Sequence, residues 1–257
     1  MIIRFFAPKL PLSAVIISLN AASQIGGCLD SVAFCDEILV VDSGSTDETV
    51  ALATSRGARV VTQDWLGYGR QKQYAVATAM NDWVICLDAD ERVSEQLRQS
   101  IEHEMSAPRA QAFAMPRCNR FLGRWLRHGE GYPDWSLRLF HRNSAKWSDD
   151  AIHEKVLAEC PVLRLRGDLL HDSAETLDRY LAKQNLYTTL QAEQLHAQGR
   201  SAGVMTLLVS PLARFSKFYF LRLGFLDGLP GLIHICIGSM NSFNKYAKLV
   251  ALGKAAR

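Results

Sequence analysis

Hydrophobic residues in the first ninety positions occur as four short runs, each separated from the next by a segment of mixed polar and apolar residues. Runs of this length that are rich in Val, Ile and Leu are typical of strands buried on both faces. The predicted strands are Leu12–Leu19, Ile38–Val41, Arg59–Thr62 and Trp83–Leu87. Strands that alternate with helix-length segments predict a mostly parallel sheet flanked by helices, which is an α/β fold.

The segments between these strands carry helix signals. Ser45 and Glu48 fit the S-x-x-E pattern of a capping box, which predicts a helix that ends before Gly57. A second helix is predicted over Gly69–Met80, and a third begins at Ser94. The apolar face of this third helix is formed by Leu97, Ile101 and Met105.

The alternation weakens in the second part of the chain. Two shorter strand-like pieces, Ala112–Met115 and Leu137–Phe140, are separated by loops rich in Arg, Gly, Trp and His, and such loops often contact a substrate. From about Ala174 the chain is predicted to be helical. These changes predict a catalytic domain, residues 1–172, followed by a helical, basic region, residues 173–257.

Charge is distributed unevenly between the two ends of the chain. Residues 200–257 contain eight Lys or Arg and one acid, for a net charge of +7, whereas residues 1–199 contain 21 basic and 25 acidic side chains, for a net charge of −4. A basic tail that is also rich in aromatic residues predicts an anionic partner surface, either a membrane or a phosphorylated lipid.

The segment from Arg214 to Phe225 interleaves three basic residues with seven large apolar ones. It is too apolar for an ordinary exposed helix and too charged for a membrane span, so it predicts a helix lying in the headgroup region of a membrane. A helix buried against the catalytic domain or a second subunit is the alternative, and the tail charge favours the membrane. The uncharged stretch Gly228–Asn244 contains Pro, His and two Asn, so it is not predicted to span a bilayer.

Polar residues follow three of the predicted strands. Asn20 follows the first strand, Asp42 the second, and Asp88-Ala89-Asp90 the fourth. Ligands of open α/β sheets bind outside the carboxyl ends of the strands, so these residues are candidates for a binding site. The sequence has neither G-x-G-x-x-G after the first strand nor G-x-x-x-x-G-K-[ST] anywhere, which argues against a dinucleotide enzyme and a P-loop NTPase.

Asp88 and Asp90 are predicted to bind a metal. Two carboxylates one residue apart can converge on a hard divalent cation such as Mg²⁺ or Mn²⁺, which keeps positions open for diphosphate oxygens. The alternative is a pair of turn-forming acids, and Asp42 at a neighbouring strand end favours the metal site. Asp42 itself could accept hydrogen bonds from a base or ribose, or it could be a turn acid without a ligand.

Together these residues resemble inverting family 2 glycosyltransferases of the GT-A fold. The motifs that carry the resemblance are Asn20, Val41-Asp42-Ser43-Gly44-Ser45-Thr46-Asp47 and Leu87-Asp88-Ala89-Asp90-Glu91. A narrower resemblance is to bacterial lipopolysaccharide inner-core β-1,4-glucosyltransferases. Its motifs are Gly67-Tyr68-Gly69-Arg70-Gln71-Lys72-Gln73-Tyr74-Ala75, Pro133-Asp134-Trp135-Ser136-Leu137-Arg138-Leu139-Phe140 and His153-Glu154. The resemblance covers Leu12–Asp172, and beyond this range it rests on a helical, basic tail.

The resemblance implies a GT-A fold and a role for each strand-end residue. The implied donor-binding residues are Ser18, Asn20, Asp42, Lys72 and Asp88. Ser18 and Asn20 would lie near the nucleoside, Asp42 would recognise it, and Asp88 would hold the diphosphate with Asp90 through the metal. Many relatives carry a second acid where this chain has Ser43, so the nucleoside contacts are expected to differ in detail.

An inverting transfer also needs a base that removes the proton of the acceptor hydroxyl. Family resemblance assigns this role to Asp134, which matches the second acid of an E-D motif followed by an Arg, here Arg138, while Pro133 replaces the first acid. Alternatively, Asp134 only caps the loop before the strand Leu137–Phe140.

The predicted acceptor-binding residues are Arg138, His153 and Glu154. A surface pair with no functional role is the alternative for His153 and Glu154. A cluster around Trp125 could bind a phosphorylated acceptor or could be a solvated loop face. Its members are Arg117, Arg120, Arg124, Arg127 and His128.

The resulting hypothesis is the transfer of a hexose, favoured as glucose from UDP-glucose, to a lipid-linked acceptor such as a heptose of lipopolysaccharide core. The expected partners are a nucleotide-sugar donor, a lipid-linked saccharide and a membrane surface, and nucleic acid is not among them. Six cysteines without a C-x-x-C pair predict reduced thiols and hence a cytoplasmic protein. The basic tail predicts that this protein is peripheral on the cytoplasmic face of the inner membrane. The alternatives are a nucleotidyltransferase, for which Asn20-Ala21-Ala22-Ser23 lacks a Gly-rich basic loop, and a non-catalytic glycan- or lipid-binding scaffold.

Overall fold

The computed structural model of the chain describes residues 10–150, 154–173 and 175–255. The strands are β1 (Leu10–Ser18), β2 (Cys35–Asp42), β3 (Arg59–Thr62), β4 (Trp83–Asp88), β5 (Glu91–Val93), β6 (Ala112–Phe121), β7 (Arg124–Trp125), β8 (Asp134–His141), β9 (Ala145–Trp147), β10 (Val156–Ala158), β11 (Val162–Arg164) and β12 (Leu169–His171). The α-helices are α1 (Ile25–Ser31), α2 (Thr49–Ser55), α3 (Tyr68–Thr78), α4 (Glu95–Ser106), α5 (Leu177–Ala197), α6 (Val204–Ser216) and α7 (Gly228–Ala255).

The described residues form two compact units. The first contains the chain up to Arg117 together with Asp134–His171, and the second contains Cys118–Pro133 together with the chain from Asp172 onward. The first unit therefore holds nearly all of the sheet, and the second holds the long helices.

The main sheet has the strand order β3-β2-β1-β4-β8-β6-β12-β5. The first four of these strands run parallel to one another, whereas β8 is antiparallel to both β4 and β6. This mixed sheet with flanking helices, followed by helices α5 to α7, confirms the predicted GT-A-like α/β fold and its C-terminal helical region.

The central strand β1 is buried on both faces, as its continuous apolar run predicts. Leu12, Ala14 and Ile16 belong to one hydrophobic cluster, and Val15 and Ile17 belong to another. Successive side chains of a strand point to opposite faces, so the two clusters lie on the two sides of the sheet. Helices cover both sides of the sheet, so the polar side chains of a candidate site are expected at the strand ends.

One helix start was predicted correctly and another was wrong. Ser94 caps α4, with its Oγ accepting a hydrogen bond from the Leu97 N–H at 3.3 Å. The capping box at Ser45 does not form, because α2 begins only at Thr49 and the side chain of Ser45 donates to Asp42 instead. The competing carboxylate at the end of β2 explains this difference.

The helices α5 and α6 both pack against α7 in the second unit. Asp227 ties the loop before β8 to this bundle: its carboxylate is 2% exposed and accepts hydrogen bonds from the backbone N–H groups of Arg127 and His128 at 3.0 and 2.8 Å. The His128 ring also contacts this carboxylate at 3.0 Å. The only acid of the basic tail is thus an internal structural group rather than a surface charge.

The continuous helix predicted over Arg214–Phe225 is wrong. Helix α6 ends at Ser216, a π-helical turn follows over Lys217–Leu221, and a 3₁₀ turn covers Gly224–Asp227. Leu223 lies between the two turns with φ of +54°, a left-handed conformation that no helix can continue through.

Val204–Leu221 is a segment of the described chain that is long and apolar enough, by length and composition alone, to cross a membrane. Its mean hydropathy is 1.2, and none of its residues is buried. The stretch Gly228–Asn244, which was not predicted to span a bilayer, lies within α7.

Candidate functional site

The carboxyl ends of β1, β2 and β4 meet at one edge of the sheet in the first unit. Ser18 of β1 is in register with Asp42 of β2, and Ile17 of β1 is in register with Asp88 of β4. The parallel strands therefore bring together polar residues that lie up to 70 positions apart in the sequence. This edge is the candidate site.

Asp42 organises the turn after β2. Its Oδ1 accepts hydrogen bonds from the hydroxyls of Ser18 and Ser45, and its Oδ2 accepts from the backbone N–H groups of Gly44 and Ser45 at 3.0 and 2.8 Å. The side chain is 2% exposed. Because a carboxylate has about four acceptor positions, a further contact from a ligand would replace one of these four bonds. Gly44 has φ of +93°, which this turn requires and which favours glycine.

Asn20 joins the turn after β1 to the turn after β2. Its Oδ1 accepts a hydrogen bond from the Thr46 N–H at 2.9 Å, and its backbone N–H donates to the Ser45 hydroxyl at 2.8 Å. Asn20 has φ of +49°, a conformation that Asn tolerates better than most residues. Ser18, Asn20 and Asp42 thus form one hydrogen-bonded rim.

Asp88 lies between two cations. Lys72 Nζ is 3.0 Å from its Oδ1, and Arg138 Nη2 is 3.2 Å from its Oδ2. Both cationic side chains are 6% exposed, whereas Asp88 is 28% exposed. Burial alone would raise the pKa of Asp88, but the charges of Arg138 and then Lys72 outweigh it and hold this pKa well below its ordinary value. Asp88 is therefore an ionised carboxylate at neutral pH.

Trp147 supports both of these cations. Lys72 Nζ lies 4.8 Å and the Arg138 guanidinium 5.4 Å from the centre of a Trp147 ring, within the range of cation–π attraction. The indole N–H donates to Cys86 Sγ at 3.4 Å, which fixes the ring. Burial raises the pKa of Cys86 to about 12, so this sulfur stays a neutral thiol.

Glu91 is the buried centre of the site. It is 0% exposed, its Oε2 accepts from the Asp88 N–H at 3.0 Å, and its Oε1 accepts from Arg138 Nη2 at 3.0 Å. Arg117 Nη1 is 3.6 Å from the same Oε1. A buried carboxylate is costly unless it is paired in this way, so Glu91 fixes the turn that carries Asp88 and Asp90.

Asp134 lies at the start of β8, directly opposite Arg117 of β6. Its Oδ2 accepts from Arg117 Nε at 3.0 Å and is 2.9 Å from Arg117 Nη2, which is a forked pair. The Asp134 side chain is 43% exposed, so it can still meet a substrate. A continuous chain of ionic contacts therefore runs from Asp134 through Arg117, Glu91 and Arg138 to Asp88.

Asp90 pairs with a residue that the sequence did not indicate. The antiparallel pairing of β12 with β5 places His171 opposite Glu91, and His171 Nε2 lies 3.3 Å from Asp90 Oδ2. Among the described residues no group of three or more His, Cys, Asp or Glu side chains is arranged to hold a metal ion. The carboxylates of Asp88 and Asp90 are each about a quarter exposed, so oxygen ligands face the open edge.

Two of the three predicted acceptor residues, Arg138 and Glu154, lie in the ionic cluster around Asp88. Glu154 Oε1 lies 3.1 Å from Lys72 Nζ and is 20% exposed, so it belongs to the ionic cluster around Asp88. Gly69 makes this approach possible, because a Cβ at that position would lie 2.2 Å from the Ser148 carbonyl and 3.4 Å from Glu154 Cβ. Arg138 lies beneath Asp88, and His153 lies outside the described residues.

The Arg cluster predicted around Trp125 is divided between the two units. Arg117 belongs to the first unit and pairs with Asp134. In the second unit, Arg120 pairs with Asp172 at 2.7 Å, and Arg124 donates to the Leu226 carbonyl at 2.9 Å. Arg120 and Arg124 therefore each have a partner within the second unit.

A scan against family models matches residues 13–159 to "Glycosyl transferase family 2". The lipopolysaccharide core biosynthesis glycosyltransferase LpsC of Rhizobium meliloti is 33% identical over 250 residues, which cover 94% of this chain and 93% of LpsC. An uncharacterized glycosyltransferase of Rickettsia felis is 30% identical over 259 residues, covering 93% of this chain and 89% of that protein.

Solved structures are more distant. The crystal structure of glucosyl-3-phosphoglycerate synthase from Mycobacterium tuberculosis with Mn²⁺, UDP and glucosyl-3-phosphoglycerate aligns with 25% identity and a TM-score of 0.37, covering 43% of this chain and 44% of that chain. A TM-score this low does not establish a shared substrate.

Proposed function

The chain belongs to glycosyltransferase family 2, and from this premise we propose that it is an inverting hexosyltransferase that moves glucose from UDP-glucose to a lipid-linked saccharide such as lipopolysaccharide core heptose. The observation that carries the proposal is the ionic chain that links Asp88, at the predicted donor side, to Asp134, at the predicted acceptor side. The family assignment speaks against the nucleotidyltransferase alternative. The similarity to LpsC supports the lipid-linked acceptor.

The donor is proposed to bind at the rim formed by Ser18, Asn20 and Asp42, with its diphosphate near Lys72 and Asp88. The Lys72 ammonium is held by Asp88 and Glu154, at 3.0 and 3.1 Å, so it is oriented before the donor arrives. Fixed cations stabilise the negative charge that develops on a leaving diphosphate at little cost in reorganisation. The first 172 residues are proposed to form this catalytic domain.

A divalent cation, Mg²⁺ or Mn²⁺, fits the groups at this edge. Asp88 and Asp90 would hold it, because their two partly exposed carboxylates are suitable ligands and leave positions for diphosphate oxygens. When bound, the cation would neutralise charge on the leaving nucleoside diphosphate.

Asp134 is proposed as the base. Its carboxylate is partly exposed and is held by the forked pair with Arg117. One carboxylate oxygen therefore has a fixed direction, and the other can take the proton of the acceptor hydroxyl. Displacement with inversion needs this base on the face of the sugar opposite the leaving group.

The helical region, residues 173–257, is proposed to dock on the cytoplasmic face of the inner membrane. The side chains Met205, Leu208, Val209 and Leu212 recur on one face of α6, and each is between 50% and 72% exposed. Lys217 follows this face and would meet anionic headgroups.

A screen of UDP-, GDP- and CDP-sugars against the purified chain tests the donor assignment. We expect UDP-glucose with Mn²⁺ to raise the melting temperature by several degrees, because a ligand that binds only the folded state stabilises it by mass action. Disrupting the gene should then remove one hexose from the cell-surface glycolipid, as measured by mass spectrometry. A scaffold would show no metal-dependent donor preference, and an unchanged glycolipid mass would contradict the acceptor assignment.

Arg117 is proposed as a positioning residue for Asp134. Arg117→Gln is expected to lower kcat by about 10- to 100-fold, because a carboxylate without its forked partner samples unproductive directions. The donor KM should change little, since Asp88 keeps Lys72 and Arg138. Arg117→Lys keeps the charge without the fork and should recover only part of kcat. A variant whose donor KM rises while kcat is unchanged would rule out this role.

A further inference from the structure

The second unit contains a polar cavity that the proposed reaction does not use. Its volume is about 290 Å³, near the lower end of small-molecule sites. Residues of α5, α6, α7 and the loop before β8 line it. Eleven lining side chains are polar, namely Glu130, Tyr180, Gln184, Tyr187, Thr188, Gln191, Arg214, His234, Asn241, Ser242 and Lys245. A polar interior of this kind between helices needs an explanation, since helix interfaces are ordinarily apolar.

An ion pair in the wall leaves two groups unsatisfied. Arg214 Nη2 donates to Glu130 Oε1, while Glu130 Oε2 and Arg214 Nε are buried and have no hydrogen-bond partner among the described residues. Buried polar groups without partners are costly and rare. Gly238 of α7 makes room for the carboxylate, because a Cβ at that position would lie 2.1 Å from Glu130 Oε2.

Other lining groups carry both donors and acceptors. Asn241 donates to Gln184 Oε1 at 2.8 Å, which orients both amides. The Tyr180 hydroxyl and the Gln191 amide line the same space. Burial, with a smaller contribution from the Glu130 carboxylate, raises the pKa of Tyr180 to about 12, so its hydroxyl remains a hydrogen-bond donor at neutral pH.

We propose that this cavity is a saccharide-binding site, distinct from the donor site of the first unit. The lining presents neutral hydrogen-bond donors and acceptors together, among them the Tyr180 hydroxyl and the Gln191 amide. A sugar hydroxyl both donates and accepts, as these groups do, whereas a phosphodiester only accepts. The lining amides and tyrosines also match the mixed donors, acceptors and CH faces of a sugar ring.

The role of this cavity in the reaction rests on the proposed function. A lipid-linked acceptor has sugar units besides the one that reacts, and an accessory site for one of them would hold the acceptor on the enzyme. Binding energy from a remote sugar lowers the entropy cost of the reacting step.

A ligand-observed NMR titration of the full chain tests the proposal, with glucose, galactose, mannose and a heptose as probes. UDP and Mn²⁺ are included to occupy the donor site. We expect at least one sugar to bind, and the double variant Tyr180→Phe with Gln191→Leu to bind it at least tenfold more weakly, since two neutral hydrogen bonds are lost. Neither residue belongs to the buried ion pair, so the variant should fold.

The matched control is Tyr219→Phe with Gln198→Leu, which removes the same groups from positions that do not line the cavity and should bind as the wild type does. Equal binding by both double variants, or no binding of any probe to the wild type, would overturn the proposal. Displacement of the sugar by inorganic phosphate would overturn the choice of ligand class. UDP release from UDP-glucose, measured on the same samples, tests the proposed transfer function independently of sugar binding in the cavity.

Discussion

Replacing Asp134 with Asn is expected to lower kcat by about 10²- to 10⁴-fold, the range that a general base contributes. Asn has nearly the shape of Asp and can still accept a hydrogen bond from Arg117, but it cannot take the acceptor proton. Asp134 does not contact Asp88 directly, because Arg117, Glu91 and Arg138 lie between them. The donor KM should therefore change little, and single-turnover transfer should show the whole loss.

Asp149→Asn is the matched control for this variant. Asp149 lies in the same unit, its side chain is 81% exposed, and its ion pair with Arg70 is long at 3.8 Å. Its variant should keep wild-type kcat. An Asp134→Asn enzyme that binds donor normally and transfers at the wild-type rate would remove Asp134 as the base. Loss of donor binding in that variant would instead indicate a structural role.

The fold was predictable where residues of one element carry the signal by themselves. Among the four parallel strands, β1, β2 and β4 were found as apolar runs because both of their faces are largely buried. The edge strand β3 is only partly buried and was found from its short β-branched run. The beginning of β2 was missed, since Glu37 is charged and yet buried at 6% exposure, where it accepts hydrogen bonds from Arg59 and Ser13. In a sequence, a charged residue of a buried ion pair looks like a surface residue, because its partner lies in another strand.

The candidate site was predictable to the same extent. Asp42, Asp88 and Asp90 follow strands directly, so the sheet alone places them at one edge. Glu91 was visible in the sequence, but its burial was not, because that depends on Arg138 and Arg117 from later strands. His171 reaches Asp90 only through the pairing of β12 with β5, which joins positions about 80 residues apart. No local pattern encodes such a contact.

The tail shows a different limit of sequence patterns. Composition correctly predicted a helical, basic region, but it could not reveal the break at Leu223 or the interior position of Asp227. The break at Leu223 and the burial of Asp227 both depend on which backbone groups of the bundle form hydrogen bonds. The cavity around Glu130 was equally invisible, since its lining comes from four separate segments.

Replacing Asp90 with Ala is expected to lower kcat/KM by about 10²- to 10⁴-fold, because a catalytic cation supplies several kcal/mol of charge stabilisation. Asp90 is preferred to Asp88 for this test. Asp88 neutralises both Lys72 and Arg138, so its removal would leave two nearly buried cations unpaired and would confuse folding with binding. The contact of Asp90 with His171 is partly exposed, and its loss should be tolerated.

The Asp90→Ala variant should also need a higher Mn²⁺ concentration for half-maximal activity, because one ligand has been removed while Asp88 remains. Asp64→Ala, at an exposed position of the same unit, is the control and should keep the wild-type metal response. Wild-type enzyme treated with a chelator should lose activity and recover it when Mn²⁺ is restored. Full activity of Asp90→Ala, or of the chelator-treated wild type, would show that Lys72 and Arg138 alone neutralise the leaving diphosphate.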